Sequence, residues 1–74
     1  MMTAKIDKNK LIAALKNELM SQKTLALKAH ITPYFLSRIS SNNFKYKASA
    51  DTCKSILKAL GGDYEFEDIF FWVD

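Results

Sequence analysis

The sequence predicts an all-α fold, a compact bundle of about five short helices, on three observations. Apolar residues recur at three- and four-residue steps through most of the chain, the spacing that lines one face of a helix. The periodic segments over 8–60 each follow a residue suited to capping a helix N-terminus: Asp7, Ser21, Thr32 and Ser49. With 74 residues, 49% of them hydrophobic and 26% charged, the composition is globular and the length supports one domain, 1–74, with a single core.

Taken in order, residues 1–6 read as a loose leader. Asp7 caps a first helix over 8–20, with Leu11, Ile12, Leu15 and Leu19 on its inner face and Lys8, Lys10, Lys16, Asn17 and Glu18 outside. Ser21 caps a shorter second helix that buries Leu25, Ala26 and Ala29, where small side chains let a neighbouring helix come close. His30 and Ile31 break the pattern, and Thr32-Pro33 restart it, since proline is favoured at the first helical position. The third helix, 33–40, buries Leu36 and Ile39 and turns Pro33, Tyr34, Ser37 and Arg38 outward. A polar loop follows to residue 48. Ser49 caps a fourth helix with Cys53, Ile56, Leu57 and Leu60 inside, and Gly61-Gly62 end it in a left-handed cap. Phe66, Ile69 and Phe70 suggest a last short helix within an acidic and aromatic tail, 63–74.

Charge is divided along the chain. Residues 1–47 hold nine Lys and Arg against Asp7 and Glu18, a net of +7, while residues 48–74 carry a net of −4. The basic front suits a polyanion and the acidic end would be held away from it. One cysteine, Cys53, and one histidine, His30, provide neither a disulfide framework nor a zinc ligand set. They also lack a third catalytic partner or a phosphate-cradling glycine loop, so an enzyme is not expected. No apolar run is long enough to span a bilayer, and Met1 to Lys5 lack a signal peptide's apolar stretch. The expectation is a soluble cytoplasmic domain without membrane, metal, cofactor or small-molecule ligand.

The segment 22–39 resembles the helix-turn-helix of the Cro and phage-repressor family, the xenobiotic-response-element-like regulators of bacteria and phages. The resemblance lies in Gln22, Leu25, Ala26, Ala29, His30, Ile31, Thr32, Leu36 and Ile39, with 49–61 and 68–70 similar to the fourth helix and closing turn. It implies a lambda-repressor-like domain with its helix-turn-helix over 22–40. His30 fills a turn slot that is glycine in many relatives, which implies φ > 0 there at a cost of about 1 kcal/mol.

The resemblance further implies that the third helix enters the major groove of double-stranded DNA, with Thr32, Pro33, Tyr34, Ser37 and Arg38 at the base edges. Arg38 is the leading candidate, because a guanidinium bonds guanine O6 and N7 together. Gln22, with Lys23 beside it, is expected at the phosphates, as are Asn42, Asn43, Lys45 and Lys47 of the following loop. Phe44 and Tyr46 are read as packing on the fourth helix in preference to stacking on bases. Cys53 is read as a small core residue. Phe70, Phe71, Trp72 and Val73 cannot all face so small a core, and exposed apolar residues mark a partner surface or a fold-back strand. Because the family pairs on two-fold operators, these four are the candidate homodimer contact; a monomer that tucks Trp72 against its own first helix is the rival. The function implied is a Cro-like repressor of phage or prophage type that occupies an operator and blocks polymerase. The alternative is an antitoxin or anti-repressor that uses the same fold mainly to bind protein.

Overall fold

The computed structural model describes residues 3–73. Strand β1 (Thr3–Ile6) is followed by helices α1 (Lys8–Asn17), α2 (Gln22–Lys28), α3 (Pro33–Ile39) and α4 (Ala50–Leu60), a single 3-10 turn at Phe66–Asp68, and strand β2 (Phe70–Val73). The all-α, five-helix expectation is therefore corrected: the described residues form four α-helices and a two-stranded antiparallel sheet.

The helix starts follow the local chemistry. Asp7 accepts hydrogen bonds from the backbone N–H of Asn9 and Lys10, Ser21 from Thr24, Thr32 from Phe35, and Ser49 from Thr52. Each cap satisfies donors that a helix start leaves orphaned, worth about 1 kcal/mol. Pro33 occupies the first turn of α3, where its missing N–H costs nothing.

Two helices end in the same left-handed motif, built without glycine. At the end of α2, His30 has φ 61, its N–H donates to the Leu27 carbonyl, and the Ile31 N–H reaches back to the Ala26 carbonyl at 3.0 Å. At the end of α1, Leu19 has φ 52 and donates to the Lys16 carbonyl, while the Met20 N–H reaches the Leu15 carbonyl at 2.9 Å. The first helix thus stops at Asn17 instead of residue 20, and Leu19, expected on its inner face, lies beyond the helix and is 95% exposed. Glycine does close α4, where Gly61 has φ 78.

The largest departure is at the chain ends. Thr3 pairs with Val73, Ala4 with Trp72, Lys5 with Phe71 and Ile6 with Phe70. On its other edge β1 is held by Ala48, through Ala4 N–H to Ala48 O at 2.9 Å and Ala48 N–H to Ala4 O at 2.7 Å. Residues 3–6 are thus a buried strand and no loose leader; Met1 and Met2 of that expectation lie outside the described residues. The last short helix is likewise replaced. The 3-10 turn closes after three residues, and the aromatic and β-branched run 70–73 continues extended, the conformation such residues favour. A strand places successive side chains on opposite faces, which is how four large apolar residues fit here. Phe70 enters the core, Trp72 stacks on Phe66 with centroids 4.3 Å apart, and Phe71 turns to the Phe44 edge at 6.2 Å.

The core joins the elements through Leu11, Leu25, Leu36, Ile39, Ile56 and Phe70, all 2% exposed or less. α2 packs on both α3 and α4, which leaves the outer side of α3 uncovered. Among the described residues no helix is long and apolar enough to cross a membrane.

One charged side chain is buried with the core. Lys5 is 1% exposed, and its Nζ donates to the backbone carbonyls of Tyr46 (2.8 Å), Asn43 (2.9 Å) and Arg38 (3.3 Å). All three ammonium protons are used. The cation also sits at the C-terminal end of α3, where the helix dipole favours positive charge. Burial still pushes the Lys5 ammonium below its ordinary pKa.

Two stability outcomes are expected. Leu19→Gly relieves the left-handed strain without removing packing, so the thermal midpoint rises by about 4–8 °C, for roughly 1 kcal/mol. Lys5→Met takes the ammonium's bond from the Tyr46 carbonyl and one bond each from the Asn43 and Arg38 carbonyls, and the midpoint falls by about 10 °C or more, for roughly 2–3 kcal/mol. Scanning calorimetry checks both, and an unchanged midpoint contradicts the corresponding assignment.

Candidate nucleic-acid interface

The outer side of α3 carries the candidate base-reading residues, and the structure places them unequally. Thr32 is exposed, but its Oγ1 accepts the Phe35 N–H at 3.0 Å, so this hydroxyl is committed to starting the helix. Pro33 is exposed beside it. Tyr34 is 64% exposed, and Ser37 stands exposed one turn on. Arg38, half-buried, closes the row.

Arg38 is held in an aromatic sandwich. Its Cζ lies 4.3 Å from the centroid of the Tyr34 ring and 4.3 Å from that of Tyr46. Tyr34 and Arg38 meet because they are four residues apart on one helix face. Tyr46 arrives from the following loop, whose shape is set by a short chain of bonds. Ser41 Oγ donates to the Arg38 carbonyl at 2.7 Å, the Lys45 N–H to Asn43 Oδ1 at 3.0 Å, and the Tyr46 N–H to the Asn43 carbonyl at 3.2 Å. Lys5 ties the same segment from below. The ring contacts made by Phe44 and Tyr46, expected to pack on the fourth helix, are with other partners: Tyr46 lies over Arg38 and Phe44 meets Phe71. A planar cation over a ring face gains more than an aliphatic contact does, and it keeps its edge free for donors.

The expected phosphate contacts form two groups around this row. Gln22, half-buried, and Ser37 line a small cleft of about 130 Å³ with Lys8, Ser40 and Ser41. Asn42 lines a second cleft of about 300 Å³, which Lys8 and Asn9 share and which Phe44 and Phe71 bound on the apolar side. Lys23 and Lys45 are exposed, neither lining these clefts, and Lys47 is half-buried. Asn43 spends its carbonyl on Lys5 and its side-chain oxygen on Lys45, so its position in the loop is fixed from both sides.

Three residues of this surface are not among the candidates the sequence singles out. Lys8 lines both clefts, although the sequence marks it only as one cation among several on the outer face of the first helix. Tyr46 covers the far side of Arg38. Lys5 holds the carbonyls of both Arg38 and Tyr46. The spacing of Lys8 directly after the Asp7 cap was the one local signal, because it places the ammonium at the start of α1; nothing local marked the other two.

The tail divides. Phe70 is 2% exposed and belongs to the core, which removes it from the set of candidate dimer contacts. Phe71 and Trp72 remain 39% and 44% exposed, and Val73 is half-buried. Trp72 folds back, but against Phe66 instead of the first helix.

Among the described residues, no three His, Cys, Asp or Glu side chains come together as a metal ligand set. Comparison with family models, with curated proteins and with solved structures gives no match for this chain.

Cys53 sits on the inner face of α4, 2% exposed, and burial pushes its thiol up to about 11. The reactive species is the thiolate, so alkylation of the native protein at about pH 8 is expected to be at least about tenfold slower than in denaturant. Iodoacetamide labelling followed by mass spectrometry checks this, and equal rates contradict the burial.

Proposed function

We propose that this protein is a sequence-specific double-stranded DNA-binding transcriptional regulator of the Cro type. In this reading α3 enters the major groove and the chain represses by occupying an operator that polymerase needs. The observation that carries the reading is the Arg38 guanidinium, flanked by Tyr34 and Tyr46 on the uncovered side of α3. A fork of N–H donors is the group that reads guanine O6 and N7 in the major groove, worth about 1–3 kcal/mol of discrimination.

The surroundings support the same reading. Arg38 and Ser37 share one helix face with the exposed Tyr34, and the cleft beside Ser37 is lined by the Lys8 ammonium, the Gln22 amide and two further serines. Such groups suit phosphate oxygens, which set the register of a protein on a duplex without reading sequence. The basic excess of residues 1–47 supplies long-range attraction, and the acidic Glu65, Glu67 and Asp68 lie at the 3-10 turn before β2. On a two-fold operator a second copy presents a second α3, and Phe71, Trp72 and Val73 are the part of the tail that offers a contact between copies.

Selection from a random duplex library, followed by titration against the selected site, tests the reading. Three engaged ammonium groups, Lys8, Lys23 and Lys45, give a logarithmic salt slope near −2.7, so affinity is expected to fall about 40-fold from about 50 mM to about 200 mM salt. Arg38→Ala is expected to weaken the selected site about tenfold or more and random duplex less than about twofold. A protein that selects no sequence and binds duplex without salt dependence contradicts the proposal and favours a role in binding protein.

A further inference from the structure

We infer that Tyr46 and Lys5 are positioning residues that turn Arg38 into a fixed end-on reader of a single guanine. The inference rests on the duplex-reading role of α3 proposed above and goes beyond it by naming what sets the geometry of the reader. An arginine on an exposed helix face normally samples many rotamers, and a contact with a base must first order it. Here two ring contacts restrict it before any ligand arrives. Both faces of the guanidinium are covered, by Tyr34 and Tyr46 at 4.3 Å each. Its Nε is buried and has no hydrogen-bond partner among the described residues. The donors left for a ligand are therefore those of the two terminal nitrogens, at the free end of the plane. That pair matches the two acceptors that guanine presents side by side in the major groove, O6 and N7, and no other base presents two acceptors there.

Tyr34 comes with the helix, but the position of Tyr46 depends on the loop. Beside its own local bonds, the loop is tied to the strand by one atom: Lys5 Nζ accepts no bond and donates three, to the carbonyls of Arg38, Asn43 and Tyr46. The backbone of the reader and the backbone of its far cover thus converge on the same buried ammonium. Lys5 touches neither base nor phosphate in this arrangement; it fixes the separation of the two residues that form the slot. A preorganised fork discriminates by position, because a base whose acceptors are displaced cannot be met by rotation of the side chain.

Tyr46→Leu removes the covering ring and leaves Arg38 in place, and Tyr46→Phe keeps the ring. Both variants are first compared with the parent by circular dichroism and thermal melting, and binding is measured only on folded protein. The parent is expected to prefer guanine at one position of its selected site by about tenfold or more over each other base. Tyr46→Leu is expected to reduce that preference to about threefold or less while changing affinity for random duplex by less than about twofold, and Tyr46→Phe is expected to retain it. Arg38→Lys, which removes the fork, is expected to lose the same preference, and the Arg38→Lys, Tyr46→Leu double variant is expected to be no worse than Arg38→Lys alone. Full guanine preference in Tyr46→Leu, a uniform loss across all sequences, or additive losses in the double variant each overturn the positioning role while leaving duplex reading intact. A parent that selects no duplex sequence overturns duplex reading itself, and the inference with it.

Discussion

A single buried ammonium ties together the face that carries Arg38 and Tyr46. Lys5 lies in the first described strand, yet its three hydrogen bonds all go to the segment that ends α3 and follows it. A charge taken out of water is expensive unless every donor is met, and here each donor meets a backbone carbonyl. Without that ammonium the Tyr46 carbonyl would lose this donor, and the segment from Arg38 to Tyr46 would keep only its own local bonds, from Ser41 to the Arg38 carbonyl and from Lys45 and Tyr46 to Asn43. The sheet, usually a peripheral feature in a helical domain this small, is what delivers the cation. β1 is held on one edge by β2 and on the other by Ala48, so Lys5 has little freedom of its own.

This arrangement couples parts of the chain that are far apart in sequence. The 70–73 run pairs with β1, β1 places Lys5, Lys5 holds the loop, and the loop holds Tyr46 against Arg38. Each step is a contact observed in the structure, and together they assign the tail a role in shaping the α3 face that does not depend on any contact between copies. The helical part of the fold performs the more familiar task. Caps at Asp7, Ser21, Thr32 and Ser49 fix where helices begin, the left-handed residues Leu19 and His30 fix where two of them end, and the core fixes how α2 and α3 cross.

What was legible in the sequence was what is encoded locally. The four caps, the positive φ at His30, the Gly61 stop and the buried faces of α2, α3 and α4 each depend on residues within a turn or two of one another. A fold-back strand is one of the two readings of the 70–73 run. β1 and its pairing were not legible, because the pairing joins residues nearly a chain length apart and residues 3–6 show no alternation: Ala4, Lys5 and Ile6 are all buried, with structure on both sides of the strand. Leu19 was misplaced because its apolar character fits the helical step, while the backbone had already turned out of the helix. On the candidate interface, Tyr34 with Arg38 follows from helical spacing, and Ser37 with Gln22 from the crossing of two helices. Lys5 and Tyr46 follow from neither. A lysine is read as solvated by default, and its burial is decided by carbonyls that only the folded loop brings together.

The shape of this face depends on that ammonium being sequestered and shared among three carbonyls in solution. Nuclear magnetic resonance of protein labelled with ¹⁵N at the lysine Nζ measures this directly. The Lys5 ammonium protons are expected to exchange slowly enough with water to be observed near neutral pH, with cross-relaxation to Asn43 and Tyr46. A Lys5 ammonium that exchanges as fast as that of exposed Lys23, with no contact to the loop, would contradict that sequestration.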